Sequence, residues 1–270
     1  KVLAAAATLT LAASLGTAAV MSASPAGAAT PSCGGPNPAV PVIGPGCIDI
    51  FSWQFGDFTH PDFTLDVFRQ KMAVGAPLIL FRTANSDPAL DFSAEFDGLT
   101  SDFYAAGLVS SAVAMHWGCV GGLIVPVIIP GGQIVCSPGY TNDPAGEIEY
   151  APYGVDSGLC AGLAATAFNG EGVTLQPCGV SARTVWIVDT VDAGRNITNA
   201  GLPLINGSDT NFSHPYVLTY PKGAEPWAKP RVQLTVTQLT GFTQPGVPFV
   251  PIISTIDSNQ LWSALFGVLP

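Results

Sequence analysis

Six cysteines, three histidines and nineteen carboxylates are the side chains of this 270-residue chain with the chemistry for bridges, proton transfer or metal binding. The cysteines fall into close couples: Cys33 and Cys47, Cys119 and Cys136, Cys160 and Cys178. None belongs to a CxxC pair or a Cys/His cluster, so no zinc site is expected. An even count in an exported chain reads as disulfides. Six cysteines allow fifteen pairings and sequence alone does not choose among them; chain proximity favours the three sequential bridges. Of the histidines, His60, His116 and His214, two precede a proline, which points to turns. GxSxG, P-loop, GxGxxG and EF-hand patterns are absent. Asp87, Asp91, Glu95 and Asp97 crowd together, and a glycosidase needs two carboxylates about 5–10 Å apart. These four fit a solvated loop and strand face better. The expectation is a chain with no catalytic residues, no metal and no cofactor, and hence not an enzyme. The NxS/T triplets at Asn196, Asn206 and Asn211 matter only where exported proteins are glycosylated.

The amino terminus gives the compartment. Lys1 is followed by an uncharged Ala/Leu-rich run and then by small residues around Ala26-Gly27-Ala28. That order predicts a secretory signal over residues 1–29, cut after Ala28 or Ala29. The run is too weakly hydrophobic for a good membrane span. The protein is therefore expected to be secreted and extracellular, with no stable span after cleavage. Residues 30–46 read as a Pro/Gly-rich leader. Without Lys1 the chain holds 19 acids against 8 bases (9 less that lysine), with the bases scattered along it. Nucleic acid and anionic membrane surfaces are poor partners for such a charge.

Only 10% of residues are charged, while 30 are Gly and 24 are Pro, a composition of strands and turns rather than of long helices. Residues 47–270 read as one all-β domain. Strand signals recur three times. Copy one has CIDIFSWQFG, HPDFTLDVF, PLILFRT and LDFSAEFDG; copy two has EIEYAPYG, LCAGLA, GVTLQPC and TVWIVDT; copy three has PLINGS, YVLTYP, RVQLTVTQL and QLWSALFGVL. Aligning Leu80, Leu175 and Leu234 brings Leu78, Val173 and Val232 together, and an aromatic opens each fourth strand: Phe92, Trp186, Trp262. Three four-strand units that bury a face only together predict a closed, pseudo-threefold β-trefoil of about twelve strands. An insertion over residues 99–146 separates copies one and two. In it FYAAGLVSSAVAMHWG reads as a strand pair. The apolar loop within Cys119–Cys136 reads as a hairpin packed on the body, or as a finger for a partner protein or lipid surface.

These motifs resemble the ricin B-type β-trefoil lectins, whose repeats run CxDV, a Gly turn, VxLWxC and QxW. Copy two matches with Cys160, Val173-Thr174-Leu175, Cys178 and Trp186, copy three with Asn259-Gln260-Leu261-Trp262, and copy one with Leu65-Asp66-Val67 and Leu78-Ile79-Leu80-Phe81. The amino terminus is similar to the signals of secreted actinobacterial proteins. The resemblance implies a Cys160–Cys178 bridge. It also implies a sugar site built from an Asp, an aromatic platform, and an Asn and Gln near QxW. No copy has all four. Copy one offers Asp66 and Phe81, with Asn85 and Asp87 as substitutes for the amides. Copy three has Thr219 and Thr235 where the Asp and the aromatic belong, and copy two has Gly162 and Gln176. Gln260 is expected to brace the backbone, and the three fourth-strand aromatics to cap the core. Asp66 is expected on an exposed position, so that its removal would spare stability. The function implied is weak carbohydrate binding at the cell exterior, to a glycan or cell-wall polysaccharide. The alternative is a structural or inhibitor-like interaction protein with no sugar site.

Overall fold

The computed structural model describes residues 45–57, 59–83, 92–118, 127–128, 134–135, 142–189, 201–211, 215–240 and 256–266. The signal, residues 30–44 of the leader, Cys33, Cys119, Cys136, Asn85, Asp87 and His214 lie outside them. Copy one comprises β1 (Ile48–Ser52), β2 (Phe63–Val67), β3 (Leu78–Arg82) and β4 (Phe92–Leu99). The insertion holds helices α1 (Thr100–Ala105) and α2 (Ser111–Trp117) and a two-stranded ladder of β5 (Val127–Ile128) with β6 (Ile134–Val135). Copy two comprises β7 (Pro144–Tyr150), β8 (Leu159–Leu163), β9 (Val173–Pro177) and β10 (Val185–Val188). Copy three comprises β11 (Leu204–Asn206), β12 (Tyr216–Thr219), β13 (Thr235–Gln238) and β14 (Trp262–Phe266).

First and fourth strands close a barrel. β1 pairs β4, β4 pairs β7, β7 pairs β10, β10 pairs β11, and β14 returns to β1. The β11–β14 seam is joined by the Leu202↔Trp262 bridge. Second and third strands form three hairpins, β2–β3, β8–β9 and β12–β13. These hairpins meet at one end through the bridges Pro77↔Thr174, Ile79↔Gln233 and Gly172↔Thr235. A six-strand barrel capped by a triplet of hairpins, with one hairpin per repeat, is a β-trefoil. One apolar cluster runs through all three copies, with Leu65, Leu80, Ile148, Leu175, Trp186, Leu218, Val236 and Trp262 among its members.

In copy three the register differs from the sequence alignment by two residues. Leu65 faces Leu80, Ala161 faces Leu175 and Leu218 faces Val236. Trp186 Nε1 donates to Ala161 O (2.9 Å) and Trp262 Nε1 to Leu218 O (2.8 Å), which makes Ala161 and Leu218 equivalent. Each hairpin is closed by one matching bond: Thr83 N to Asp62 O, Cys178 N to Gly158 O, Leu239 N to Pro215 O. Val236, not Leu234, therefore shares the place of Leu80 and Leu175. Leu234 is nonetheless buried, because a two-residue shift keeps a side chain on the same face.

The segment expected as a strand pair is helical instead. Ser110 caps α2, its hydroxyl accepting from Val113 N (3.1 Å). Val113, Ala114 and Trp117 then fall on one side of the helix, at a spacing that no flat strand uses. They pack with Ala145, Val185, Ile187, Ile205 and Val217 on the outside of the barrel. This cover explains the continuous apolar run of β10: Trp186 fills the core while Val185 and Ile187 sit under the helix. No helix among the described residues is long and apolar enough to cross a membrane.

Beside α2, the buried Asp209 carboxylate ties the loop before β12, accepting from Asn211 N (2.6 Å) and Tyr216 N (2.7 Å). Burial pushes its pKa from 3.8 up to about 6, and those N–H donors only partly oppose the shift. The folded state thus holds this proton more tightly than the unfolded chain. The resulting stabilisation is complete below pH 3.8 and is lost as pH rises through about 6, a difference of ~3 kcal/mol at most. Melting of wild type and Asp209→Asn across this window should show the wild-type advantage shrinking as pH rises. A constant gap would mean that the carboxyl does not titrate there.

Candidate functional site

Period-two alternation puts Thr64 and Asp66 of β2, with Ile79 and Phe81 of β3, on the face away from the core. Thr64 faces Phe81 and Asp66 faces Ile79 in the ladder. Asp66 and Phe81 open onto one cleft of about 660 Å³, lined also by Phe68, Arg69, Gln70 and Ile79. Its other wall comes from copy three: Lys229, Pro230 and Arg231, in the connection between β12 and β13. Two of the four residues expected at a sugar site therefore share one cavity. Asn85 and Asp87 fall outside the described residues.

Two expectations need correction. Asp66 is only 4% exposed, so it is a buried carboxylate in the cleft floor and not an exposed strand residue. Its removal would therefore disturb packing as well as binding. Phe81 is not a bare platform either: the Arg231 guanidinium lies 4.8 Å from its ring centroid. That is a cation–π contact on a half-buried ring.

The places matching Asp66 and Phe81 in the other copies are filled for visible reasons. In copy two a Cβ on Gly162 would lie 2.8 Å from Thr184 Cγ2 and 2.9 Å from Arg183 O, so no Asp fits there. In copy three Thr219 takes the place of Asp66, and the corrected register puts Thr237 rather than Thr235 in the place of Phe81. Their hydroxyls bond each other at 2.8 Å. Gln260 braces the backbone, as expected. Its Nε2 donates to Thr237 Oγ1 (2.9 Å) and Gln238 O (2.8 Å), and its Oε1 accepts from Thr240 N (2.8 Å) and Thr240 Oγ1 (2.9 Å). Asn259 Nδ2 donates to Tyr220 O (2.7 Å). Trp186, Trp262 and Phe92 are buried caps of the core.

His60 serves a turn. Asp57 Oδ1 accepts from Thr59 N (2.7 Å), Thr59 Oγ1 (2.6 Å) and His60 N (3.0 Å), and these bonds hold its carboxyl below the usual range. The hydroxyl, not the imidazole, stands between the other two groups, so this is no nucleophile triad. The Cys160–Cys178 bridge is formed, and Cys47 is also bridged, to a partner outside the described residues.

Sequence reading missed the wall from copy three. Its run KGAEPWAKPR offers a signal, an aromatic flanked by prolines and cations in a connection. Trp227 of this run is 57% exposed and packs on Phe55 and Phe63 at 6.4 and 6.1 Å between ring centroids.

No sequence-family pattern matches the chain, and no curated protein matches it. Solved structures similar in shape include two that differ widely in length. The designed threefold-symmetric protein ThreeFoil is 12% identical, with a TM-score of 0.41, over 81% of this chain and 96% of that one. A mosquitocidal holotoxin is 10% identical, with a TM-score of 0.40, over 80% of this chain and 16% of that one. The trefoil assignment itself rests on the strand pairing given above.

Proposed function

We propose that this chain is a secreted, non-catalytic carbohydrate-binding trefoil of the ricin B-like kind, with one working site in the copy-one cleft. The observation that carries the reading is the convergence of Asp66 and Phe81 on that cleft, while the matching places in copies two and three are closed. An ionised carboxylate only accepts, which suits the hydroxyls of a sugar, and an aromatic edge or face suits its C–H surface. Among the described residues Asp66 is the one carboxylate in the lining, and hydrolysis by paired carboxylates needs two, which favours binding over catalysis. The signal-like amino terminus supports an extracellular setting.

The test is a binding screen of the folded protein against neutral and acidic glycans and cell-wall polysaccharides. Affinities of millimolar to high micromolar are expected, since a few groups in an open cleft supply only ~4–6 kcal/mol. Phe81→Ala should weaken the best ligand about tenfold, a loss of ~1.4 kcal/mol, and shift the melting temperature little. A screen with no binder removes the proposal. Exposed Trp227 favours a second reading, a protein-docking surface on the same connection.

A further inference from the structure

Cations gather at this cleft in an otherwise acidic chain. The protein has a net charge of −10 and nine lysines and arginines, of which Lys1 and Arg195 lie outside the described residues. Of the other seven, three line the one cleft: Arg69, Lys229 and Arg231. Among the described residues they face a single carboxylate there, Asp66, so the described lining is net positive. Among the described residues none of the three is in an ion pair, whereas Lys222 is paired with Asp257 at 3.2 Å.

Two of these cations are held in place. The Arg69 guanidinium lies 5.0 Å from the Phe68 ring centroid, and Arg231 lies over Phe81 while its Nη1 donates to Pro226 O. A guanidinium stacked on a ring directs its in-plane N–H donors outward, and those of Arg231 not bonded to Pro226 O can meet a planar acceptor. We infer that the cleft selects an anionic sugar, one whose ring carries a carboxylate or a sulfate ester. This deepens the carbohydrate-binding reading and rests on it. The anionic group would take charge-assisted bonds from Arg231, Lys229 and Arg69 at the rim. The hydroxyls of the same ring would reach Asp66 in the floor. A neutral sugar offers the rim only weaker bonds, and a second carboxylate near Asp66 would be repelled, so the ligand has its charge at one end.

Isothermal titration of the folded chain with three probes tests this: an oligogalacturonide, its methyl ester, and a sulfated neutral oligosaccharide. At least one anionic probe should bind about tenfold or more tighter than the methyl ester, with the ratio shrinking as salt rises from about 0.02 to about 0.3 M. Whichever anionic probe wins identifies the source of the charge. Arg231→Gln and Lys229→Gln should each bring the anionic-to-neutral ratio towards one, while Arg231→Lys keeps most of it. Melting curves of the variants check that the fold persists. Equal affinity for anionic probes and ester overturns the anionic selectivity and leaves the glycan site standing. Binding of none of these probes, nor of any glycan in the wider screen, overturns both.

Discussion

Trp186→Ala should lower the melting temperature by about 10 °C or more. The indole is fully buried in the cluster shared by all three copies, and Trp→Ala truncations in cores cost ~3–5 kcal/mol. The loss is not only apolar. Trp186 Nε1 donates to Ala161 O, and truncation leaves that carbonyl without its donor. A domain of this size shifts by about 2–4 °C per kcal/mol, which gives the figure. Trp186→Phe should cost much less, because copy one already places Phe92 at this position. Trp227→Ala is the control: an exposed ring whose removal should move the melt by no more than about 2 °C. Calorimetry on the three variants separates the cases. Equal effects of Trp186→Ala and Trp227→Ala would contradict the core assigned here.

The second large effect is loss of the Cys160–Cys178 bridge. The two cysteines are 18 positions apart and tie the start of β8 to the turn after β9. Freeing a loop of that length costs roughly 3 kcal/mol through the unfolded chain's entropy. Copies one and three have Thr64 and Thr83, and Val217 and Leu239, at the matching places. Their hairpins close without a bridge, by the matching backbone bond and, in copy one, also by the Thr83 hydroxyl donating to Pro61 O. The Cys160→Ser/Cys178→Ser double variant should therefore still fold, with a melting temperature lowered by about 6–12 °C. A double variant that melts like wild type would show that packing of the copy-two hairpin suffices. One that never folds would show that the two unbridged hairpins are no guide to the third.

What sequence could and could not show follows from period and distance. All twelve trefoil strands were legible, because alternation against a shared core leaves a two-residue period and the turns between carry Gly and Pro. The register of the third copy was not, since a two-residue slip of Leu234 onto Val236 leaves every side chain on its own face. Helix α2 was misread because its seven residues are too short to display a helical period; its Ser110 cap and its packing against β10 decide the matter in three dimensions. At the site, Asp66 and Phe81 were within reach because they are neighbours across one hairpin. Arg231 and Lys229 were not, because they arrive from roughly 150 residues further along the chain. The burial of Asp66 was hidden for the same reason: the fold, not the strand, determines what covers that face.

The central claim is that glycans bind in the copy-one cleft. Backbone amide shifts followed by NMR during titration with the best ligand of the screen test it most directly. The account predicts that the largest changes fall on β2, β3 and the 226–231 connection, around Asp66, Phe81 and Arg231. Saturating changes confined instead to the copy-two or copy-three hairpins, with the Asp66–Phe81 region silent, would contradict it.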